Sequence, residues 1–327
     1  MVNNASLIRN PASRGAPSLE RLKAAISGIE DWEISVSETT SAGHATELAL
    51  VASARNVDAV IACGGDGTVN EVANGLAGSS TPMGVIRGGT SNVWAKEAGV
   101  PRHPADALQL LVTGDRRSID LGRIRALPAQ HPASGDAPRD TPGADQDNSV
   151  RYFLLMAGIG FDAAIVREAS SSLKRRLGAT AYLLQGIRSI LSHSAETVDL
   201  EVDGVAERVS LFWLLMGNTR SYAGVANLTH QASAVDGKLD FCLFERGGLP
   251  RVAWLAPWAL LRRHAGRATV QYRKIESLEV RTPGLPIQVD GEYLTETPVS
   301  IDVVRHAIRV IVPAELDSPL FRRPSVD

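Results

Sequence analysis

The sequence predicts an α/β protein with a doubly wound, Rossmann-like N-terminal domain followed by a C-terminal antiparallel β-rich sandwich domain. Three observations support this prediction. Short apolar runs alternate with helix-like stretches at first, strand-like segments then follow one another, and two glycine-rich turns each join a strand to a helix. Alternating strands and helices are typical of right-handed crossovers and of a parallel sheet that is covered on both faces.

The N-terminal domain is expected to span residues 1–118. Its apolar runs predict four strands, namely "ASLIRN", "WEISVSE", "VDAVIAC" and "PMGVIR". Helical periodicity predicts five helices between and after them, at residues 18–28, 43–55, 68–77, 91–98 and 104–113.

The β-rich domain is expected at residues 119–304, with residues from about 305 to 327 packing back onto the first domain. Single strands are predicted for segments such as "VRYFLLMAGIG", "RVSLFWLLMGN" and "KIESLEVRTP". The Pro, Gly, Asp and Ser content of residues 128–149 predicts a mobile loop, because such a segment cannot bury enough apolar surface to order itself. Two helical insertions are expected, at residues 173–192 and 249–264.

Composition and charge exclude several classes of function. A net charge of −2 gives no overall field that would gather polyanions, so nucleic acid is not an expected partner. The 44% hydrophobic and 21% charged content is that of a globular protein, and no apolar run reaches the length of a membrane span. The first residues lack the features of a secretory signal, which predicts a cytoplasmic protein.

The first glycine-rich turn, "GGDGT", occupies residues 64–68. Its three glycines leave backbone N–H groups open to an anion at a helix N-terminus, and Thr68 can cap that helix. The turn matches neither a P-loop nor G-x-G-x-x-G. Asp66 would repel phosphate unless a divalent cation lay between them, so we predict a metal-nucleotide site. A tight strand-to-helix turn without a ligand is the alternative.

A second turn of the same type, "GGTSN", follows the next strand at residues 88–92. Both turns are therefore expected at the carboxyl edge of one parallel sheet, where open α/β sheets bind ligands.

The pair of turns, together with "NEVANGL", "IDLGRI", "YFLLMAGIGFDAAIV", "AVDGKLDF" and "QVDGEYL", resembles the catalytic domain of the diacylglycerol kinase and sphingosine kinase family over nearly the whole chain. The resemblance implies an ATP-dependent lipid kinase with its active site in the cleft between the two domains. It also implies ATP and Mg²⁺ as cofactors. The positions that match the family's nucleotide-binding residues are Asn10, Thr39, Gly65, Asp66, Gly67, Thr68, Val69, Asn70, Glu71, Gly89, Thr90 and Asn92.

The resemblance also implies a catalytic base. Asp290 matches that base, and Asp66, Glu292 and Asp120 match the acids that support it. From the residues alone, Asp290-Gly291 is predicted to be a hairpin turn, and Asp120 is equally a structural cap at the start of a strand.

A second, structural Mg²⁺ is implied at Ser233, Asp236 and Lys238, where the alternative is an Asp-Gly turn before a strand. Two positions depart from many bacterial diacylglycerol kinases. Val93 stands where those proteins have Asp, and Arg87 stands where they have Pro. These departures bear on substrate choice and on the arrangement of the metal.

The implied partner is a lipid substrate at a membrane surface, and two stretches are candidates for transient peripheral contact. Lys174, Arg175 and Arg176 precede one apolar helix, and Trp254 and Trp258 interleave with arginines in the other. Packing on the protein's own sheet is the alternative for both.

Two other functions stay open from the sequence. One is a kinase of a small molecule such as NAD, whose family shares "GGDGT". The other is a non-catalytic nucleotide or lipid sensor with the same fold. The sequence also leaves open whether the chain forms a homodimer.

Overall fold

The computed structural model describes residues 2–128, 150–170, 194–248, 254, 257–259, 261–265 and 267–322. The predicted loop at 128–149, apart from residue 128, and the predicted helix at 173–192 lie outside these residues. The predicted helix at 249–264 is described only in part. Within the described ranges, no helix has both the length and the apolar content needed to cross a bilayer.

The N-terminal half is a parallel sheet with helices on both faces, as predicted. The bounds are β1 (Asn3–Arg9), α1 (Leu19–Ile26), β2 (Trp32–Glu38), α2 (His44–Ala54), β3 (Ala59–Gly64), α3 (Asp66–Leu76), β4 (Pro82–Arg87), α4 (Val93–Glu97) and α5 (Pro104–Thr113). The strand order is β2-β1-β3-β4. Helix α1 packs against α5 on one side, and α2 packs against α3 on the other.

The C-terminal half is antiparallel and β-rich, which confirms the predicted class. The bounds are β5 (Asp115–Ala126), β6 (Val150–Phe153), β7 (Met156–Gly160), α6 (Phe161–Ser170), β8 (Glu196–Val202), β9 (Val205–Leu211), β10 (Trp213–Gly217), β11 (Leu239–Phe244), β12 (Val270–Ile275), β13 (Ser277–Val280), β14 (Pro286–Val289), β15 (Glu292–Glu296), β16 (Val299–Val312) and a 3₁₀ turn at Pro319–Phe321. Six of these strands form one sheet in the order β12-β11-β10-β7-β14-β15.

The long strand β16 joins the two halves. Near its end, Arg309 and Val310 pair in parallel with Pro82 and Met83 of β4. Along its length it pairs antiparallel with β5 and β13. The first sheet therefore continues from β4 through β16, β13 and β8 to β9, and it contains ten strands in all.

Three predicted single strands are in fact divided between the two sheets, so those predictions were wrong. "VRYFLLMAGIG" breaks at residues 154–155 into β6 and β7, "RVSLFWLLMGN" breaks at Phe212, and "KIESLEVRTP" breaks at Glu276. A continuous apolar run does not indicate where these breaks occur, because buried strands of either sheet are made of the same types of apolar residue. Each break leaves backbone groups without a ladder partner, and other residues must satisfy them.

The space between the two sheets is filled by its own apolar cluster. Phe153, Ile159, Phe241 and Val299 are among the fully buried members. This packing fixes β7 and β14 against the first sheet, and with them the turn that follows β14.

Candidate active site

The first glycine turn lies at the C-terminal end of β3 and leads directly into α3. The chain packs too tightly there for larger residues. An ideal Cβ on Gly64 would lie 2.5 Å from Oγ1 of Thr68, and one on Gly89 would lie 2.6 Å from the Cα of Gly65. The glycines therefore allow the two turns to stack backbone against backbone.

The start of α3 presents free donors. Within the described part of the chain, the N–H groups of Gly67 and Thr68 have no hydrogen-bond acceptor, and the N-cap residue Gly65 offers no side chain to satisfy them. The surrounding loop is held in place, because Asn10 Nδ2 donates to Oγ1 of Thr68 at 3.0 Å and Gly65 N donates to Oγ of Ser13 at 3.2 Å. Free first-turn amides on a rigid loop form an anion site.

The second glycine turn is ordered by its own asparagine. Gly89 N donates to Oδ1 of Asn92 at 2.9 Å, and Asn92 Nδ2 donates back to the carbonyl of Gly89 at 2.6 Å. Gly88 N donates to the carbonyl of Gly64 at 2.8 Å and so fixes the two turns side by side. Thr90 is exposed at the rim of this pair.

Asp66, a residue of the first turn, contacts the helix that follows the second turn. Its Oδ1 accepts from Trp94 N at 3.3 Å, so the carboxylate caps the short helix α4. Burial raises the pKa of Asp66, while the amides of Trp94 and Val93 lower it. The carboxylate therefore holds the second turn against the first.

Other residues predicted to bind the nucleotide serve the structure of the first domain. Both oxygens of Glu71 accept backbone N–H groups at the start of α2, from Gly43 at 3.0 Å and from Ala45 at 3.1 Å. Val69 and Asn70 are buried within α3, and Thr39 is buried at the end of β2. Gly65 to Gly67 are thus partly exposed at the start of α3, whereas these four residues are buried or bound to neighbouring backbone.

Asp290 lies in a two-residue hairpin turn between β14 and β15. Its φ of 49° and the φ of 88° at Gly291 are both positive, as a type I′ turn requires. Its carboxylate accepts three amides from the break between β6 and β7. The donors are Leu154 N at 2.9 Å, Leu155 N at 3.0 Å and Met156 N at 2.8 Å. The predicted hairpin and the predicted acid are therefore one feature.

The environment of Asp290 raises its pKa to about 7. The main cause is burial, and the negative charge of Asp66 adds to it, while the three amides lower the pKa. A carboxyl group with a pKa near neutrality suits proton transfer at physiological pH. The influence of Asp66 also means that the two carboxylates lie close enough to interact.

The Asp290 hairpin faces the first turn of α3. An ideal Cβ on Gly67 would lie 3.3 Å from Oε1 of Glu292, two residues after Asp290. Arg151 Nη2 lies 3.8 Å from Oε2 of Glu292 and brings a positive charge to the same place. Free amides, a cation and a carboxyl group with a raised pKa therefore surround one cleft.

A buried polar chain behind the hairpin could not be recognised from the residue types. Gln288 Nε2 donates to Oδ2 of Asp162 at 2.9 Å, and Gln288 Oε1 accepts from Gly291 N at 2.8 Å. Asp162 is 1% exposed, and burial raises its pKa to about 7. These two hydrogen bonds hold the Asp290 hairpin in place. In the sequence, only the quoted segment "YFLLMAGIGFDAAIV", which contains Asp162, indicated this region.

The carboxylate of Asp120 is held by two backbone amides of the C-terminal half. Its Oδ2 accepts from Gly237 N at 2.7 Å and its Oδ1 accepts from His306 N at 2.8 Å. Asp120 is also only 1% exposed, whereas Asp290 is partly exposed, so the geometry favours the alternative of a structural cap for Asp120.

The residues around the proposed structural magnesium do not fit a metal well. Lys274 forms an ion pair with Asp236, whose carboxylate is 3% exposed, and the Oγ of Ser233 donates to the carbonyls of Leu320 and Arg322. An ammonium group thus already neutralises the carboxylate that would bind Mg²⁺, and Lys238 N donates to the same side chain. Nowhere in the described ranges do three His, Cys, Asp or Glu side chains form a group that could hold a metal.

Comparisons with known proteins agree with this architecture. Residues 4–124 match the model of the diacylglycerol kinase catalytic domain, and residues 156–312 match the YegS C-terminal NAD kinase beta sandwich-like domain. The chain is 30% identical over 321 residues to a diacylglycerol kinase of Bacillus subtilis, covering 96% of this chain and 98% of that protein. It is 27% identical over 316 residues to a diacylglycerol kinase of Mycobacterium tuberculosis, covering 95% of this chain and 96% of that protein.

The fold has a counterpart among solved structures. A crystal structure of a diacylglycerol kinase from Bacillus anthracis superposes with a TM-score of 0.67 at 21% identity, covering 95% of this chain and 97% of that one. With this coverage, the similarity in fold spans both sheets.

Proposed function

The chain belongs to the diacylglycerol kinase family, and from this premise we propose that it is an ATP-dependent lipid kinase that transfers the γ-phosphate to a lipid hydroxyl. Diacylglycerol is the proposed acceptor class, and a sphingoid base or a related lipid offers the same hydroxyl chemistry. The observation that carries the proposal is the placement of Asp290, which three amides hold opposite the free N-terminus of α3.

The anion site at α3 supports the binding of the nucleotide phosphates. The amides of Gly67 and Thr68 have no acceptors among the described residues, and a helix N-terminus favours negative charge. Arg151 supplies a cation near the same position. Together these groups orient the phosphoryl group toward the Asp290 side of the cleft.

Asp290 is the proposed general base. A lipid hydroxyl that attacks phosphorus must lose its proton, and a carboxylate within hydrogen-bond reach accepts it. The three amides keep the carboxylate in one orientation, and a pKa of about 7 leaves a substantial fraction ionised at neutral pH. Positioned bases of this kind contribute roughly 10²- to 10⁴-fold to the rate.

Magnesium is the proposed partner of the nucleotide. Asp66 and Glu292 are the residues that would hold it, because both carboxylates border the start of α3. When bound, Mg²⁺ supplies positive charge that offsets the charge of the phosphates. The proposed position is thus the nucleotide cleft, whereas the Asp236 loop is already neutralised by Lys274.

The lipid acceptor requires contact with a membrane surface. We propose a cytoplasmic protein that docks transiently. Support comes from the described part of the 249–264 segment, where Trp254 is 53% exposed and the Arg267 guanidinium lies over the Trp258 ring at 3.7 Å. Tryptophan with neighbouring cations suits an anionic interface.

The test is a phosphate-transfer screen with labelled ATP and Mg²⁺. Mixed micelles would carry diacylglycerol, a sphingoid base or no acceptor lipid, and parallel reactions would contain NAD. We expect label in the diacylglycerol product and none in NADP. Label that appears only in NADP would overturn the lipid kinase proposal and indicate a small-molecule kinase. Nucleotide binding without any labelled product would indicate a sensor.

A further inference from the structure

The two residues at the break between β6 and β7 are hydrogen-bonded on both sides. The amides of Leu154 and Leu155 donate to the carboxylate of Asp290, at 2.9 and 3.0 Å. Their carbonyls accept from the loop that follows β10. Asn218 N and Thr219 N both donate to the carbonyl of Leu155, at 2.8 and 3.1 Å. Asn218 Nδ2 donates to the carbonyl of Leu154 at 3.1 Å. The place of the carboxylate therefore depends on the start of this loop.

Asn218 is the buried anchor of the loop. Its side chain is 0% exposed, and its Nδ2 also donates to the carbonyl of Asp120 in β5, at 3.0 Å. Thr219 is equally buried, and its carbonyl accepts from Oγ1 of Thr229 at 2.6 Å. Moving the loop would leave these buried polar groups without partners, which costs free energy. The loop and the break after β6 are therefore held as one unit.

The next two residues of the loop bond to the first domain. Arg220 N donates to Oε2 of Glu97 at 3.1 Å, and Ser221 N donates to Oε1 of Glu97 at 2.8 Å. Glu97 is the last residue of α4, the short helix that follows the second glycine turn. Burial raises the pKa of Glu97, while the two amides lower it. The carboxylate thus receives one amide on each oxygen and ties the loop to this helix.

The same loop packs on the second glycine turn. Ala223 and Gly224 have positive φ values of 52° and 75°, so the chain reverses direction there. An ideal Cβ on Gly224 would lie 3.8 Å from Cγ2 of Val93 and 3.9 Å from Cβ of Ser91, so the loop lies close against the turn. The loop therefore contacts the second turn directly and reaches the Asp290 carboxylate through the break after β6.

We propose that Glu97 and Asn218 are positioning residues, which set the place of the Asp290 carboxylate relative to the second glycine turn through residues 218–221. The proposal rests on the proposed function, because the place of Asp290 affects the rate only if Asp290 is the base. Both side chains act through backbone groups. Displacing a reacting group by about 1 Å can cost about 10²-fold in rate, so a distant anchor can control turnover.

The kinetics of Glu97→Ala and Asn218→Ala test the proposal. Each variant should lower kcat about tenfold or more, with the KM for ATP within about twofold of the unmodified value. The amides that bond to Asp290 lower its pKa, so loosening them should move the rise of kcat with pH to higher pH. A purely structural role would lower the free energy of unfolding and leave the pH profile of the folded protein unchanged. If buried Asn218→Ala does not fold, Glu97→Ala decides alone.

Hydrogen exchange of the amides at 154–156 gives a second readout, which needs no catalysis. We expect exchange there to become about tenfold faster in Glu97→Ala, although no described hydrogen bond joins Glu97 to these residues. The matched control is Asp203→Ala. Asp203 also accepts two consecutive amides at a sheet break, those of Glu276 and Ser277. Its variant should leave the exchange at 154–156 and the kcat–pH profile unchanged.

The proposal is overturned if either folded variant keeps both the kcat–pH profile and the exchange rates of the unmodified protein. It is also overturned if Asp203→Ala changes them equally. Failure of the proposed function has a different signature. In that case the unmodified protein transfers no phosphate to a lipid, while faster exchange at 154–156 in Glu97→Ala would still support the link between α4 and the Asp290 hairpin.

Discussion

Asn74 and Tyr152 are joined by two reciprocal hydrogen bonds. Tyr152 N donates to Oδ1 of Asn74, and Nδ2 of Asn74 donates to the carbonyl of Tyr152, each at 2.9 Å. Asn74 belongs to α3, which begins at the glycine turn, and Tyr152 belongs to β6, which leads to the amides that hold Asp290. This pair therefore fixes the spacing between the two sides of the cleft.

Asn74→Ala should lower both stability and turnover. The substitution leaves the N–H and carbonyl of Tyr152 without partners, which should cost about 1–3 kcal/mol in the free energy of unfolding. We also expect kcat to fall, because α3 is no longer fixed to β6. Chemical denaturation and kinase assays would measure both. Gln109→Ala, on the exposed face of α5, is the control and should change neither quantity.

Gly89→Ala should destabilise the protein by about 1–3 kcal/mol and weaken ATP binding. Its Cβ would lie 2.6 Å from the Cα of Gly65, so the two turns would have to separate. Gly28→Ala is the matched control, because its Cβ would meet only a carbonyl oxygen at 3.5 Å. Equal unfolding free energies for the two variants would contradict the tight stacking of the turns.

The sequence predicted the fold class and the position of both glycine turns, because strand-helix alternation and turn formation depend on residues that are adjacent in sequence. It could not predict that Leu154, Leu155 and Met156 would donate to Asp290. Those amides become free only because the chain changes sheets after β6, and an apolar run does not mark that point.

Two Asp-Gly turns show the same limit for the site. Asp203-Gly204 has φ values of 48° and 80°, and Asp203 Oδ1 accepts from Glu276 N and Ser277 N at another sheet break. Locally it is equivalent to Asp290-Gly291. Only the tertiary structure distinguishes them, because Asp290 faces α3 and Asp203 lies at the far end of the ten-stranded sheet.

The buried carboxyl of Asp162 should make stability depend on pH. Its pKa in the folded protein is raised to about 7, so its contribution to stability is complete below the pKa of the unfolded chain, near 4, and is lost as the pH rises through 7. Asp162→Asn does not ionise. The difference in unfolding free energy, variant minus unmodified protein, should therefore rise between pH 4 and 7. The expected rise is a few kcal/mol, because each pKa unit corresponds to about 1.4 kcal/mol.

Denaturation curves at several pH values would measure that difference. The matched comparison is Asp58→Asn, which makes the same substitution at an exposed carboxylate near β1. A constant difference for Asp162→Asn would mean that its carboxyl is already ionised in the folded protein at low pH.

Lys274→Met should lower the free energy of unfolding by about 3–5 kcal/mol. Lys274 pairs with Asp236 and lies 3.8 Å from Oδ1 of Asp240, and both carboxylates are buried. Without the ammonium group these acids are left uncompensated. Added Mg²⁺ should restore part of the lost free energy of unfolding in the variant. It should not change the free energy of unfolding of the unmodified protein through this loop. Stabilisation of both proteins alike would mean that Lys274 does not take the place of a metal.

The most direct measurement is turnover of Asp290→Asn beside Asp203→Asn, with ATP affinity and unfolding free energy measured for both. If Asp290 accepts the proton of the lipid hydroxyl, its variant should lose about 10²-fold or more in kcat while ATP binds as before, and Asp203→Asn should keep full turnover. Normal kcat in folded Asp290→Asn protein, or an equal loss in both variants, would contradict the role of Asp290 as the base.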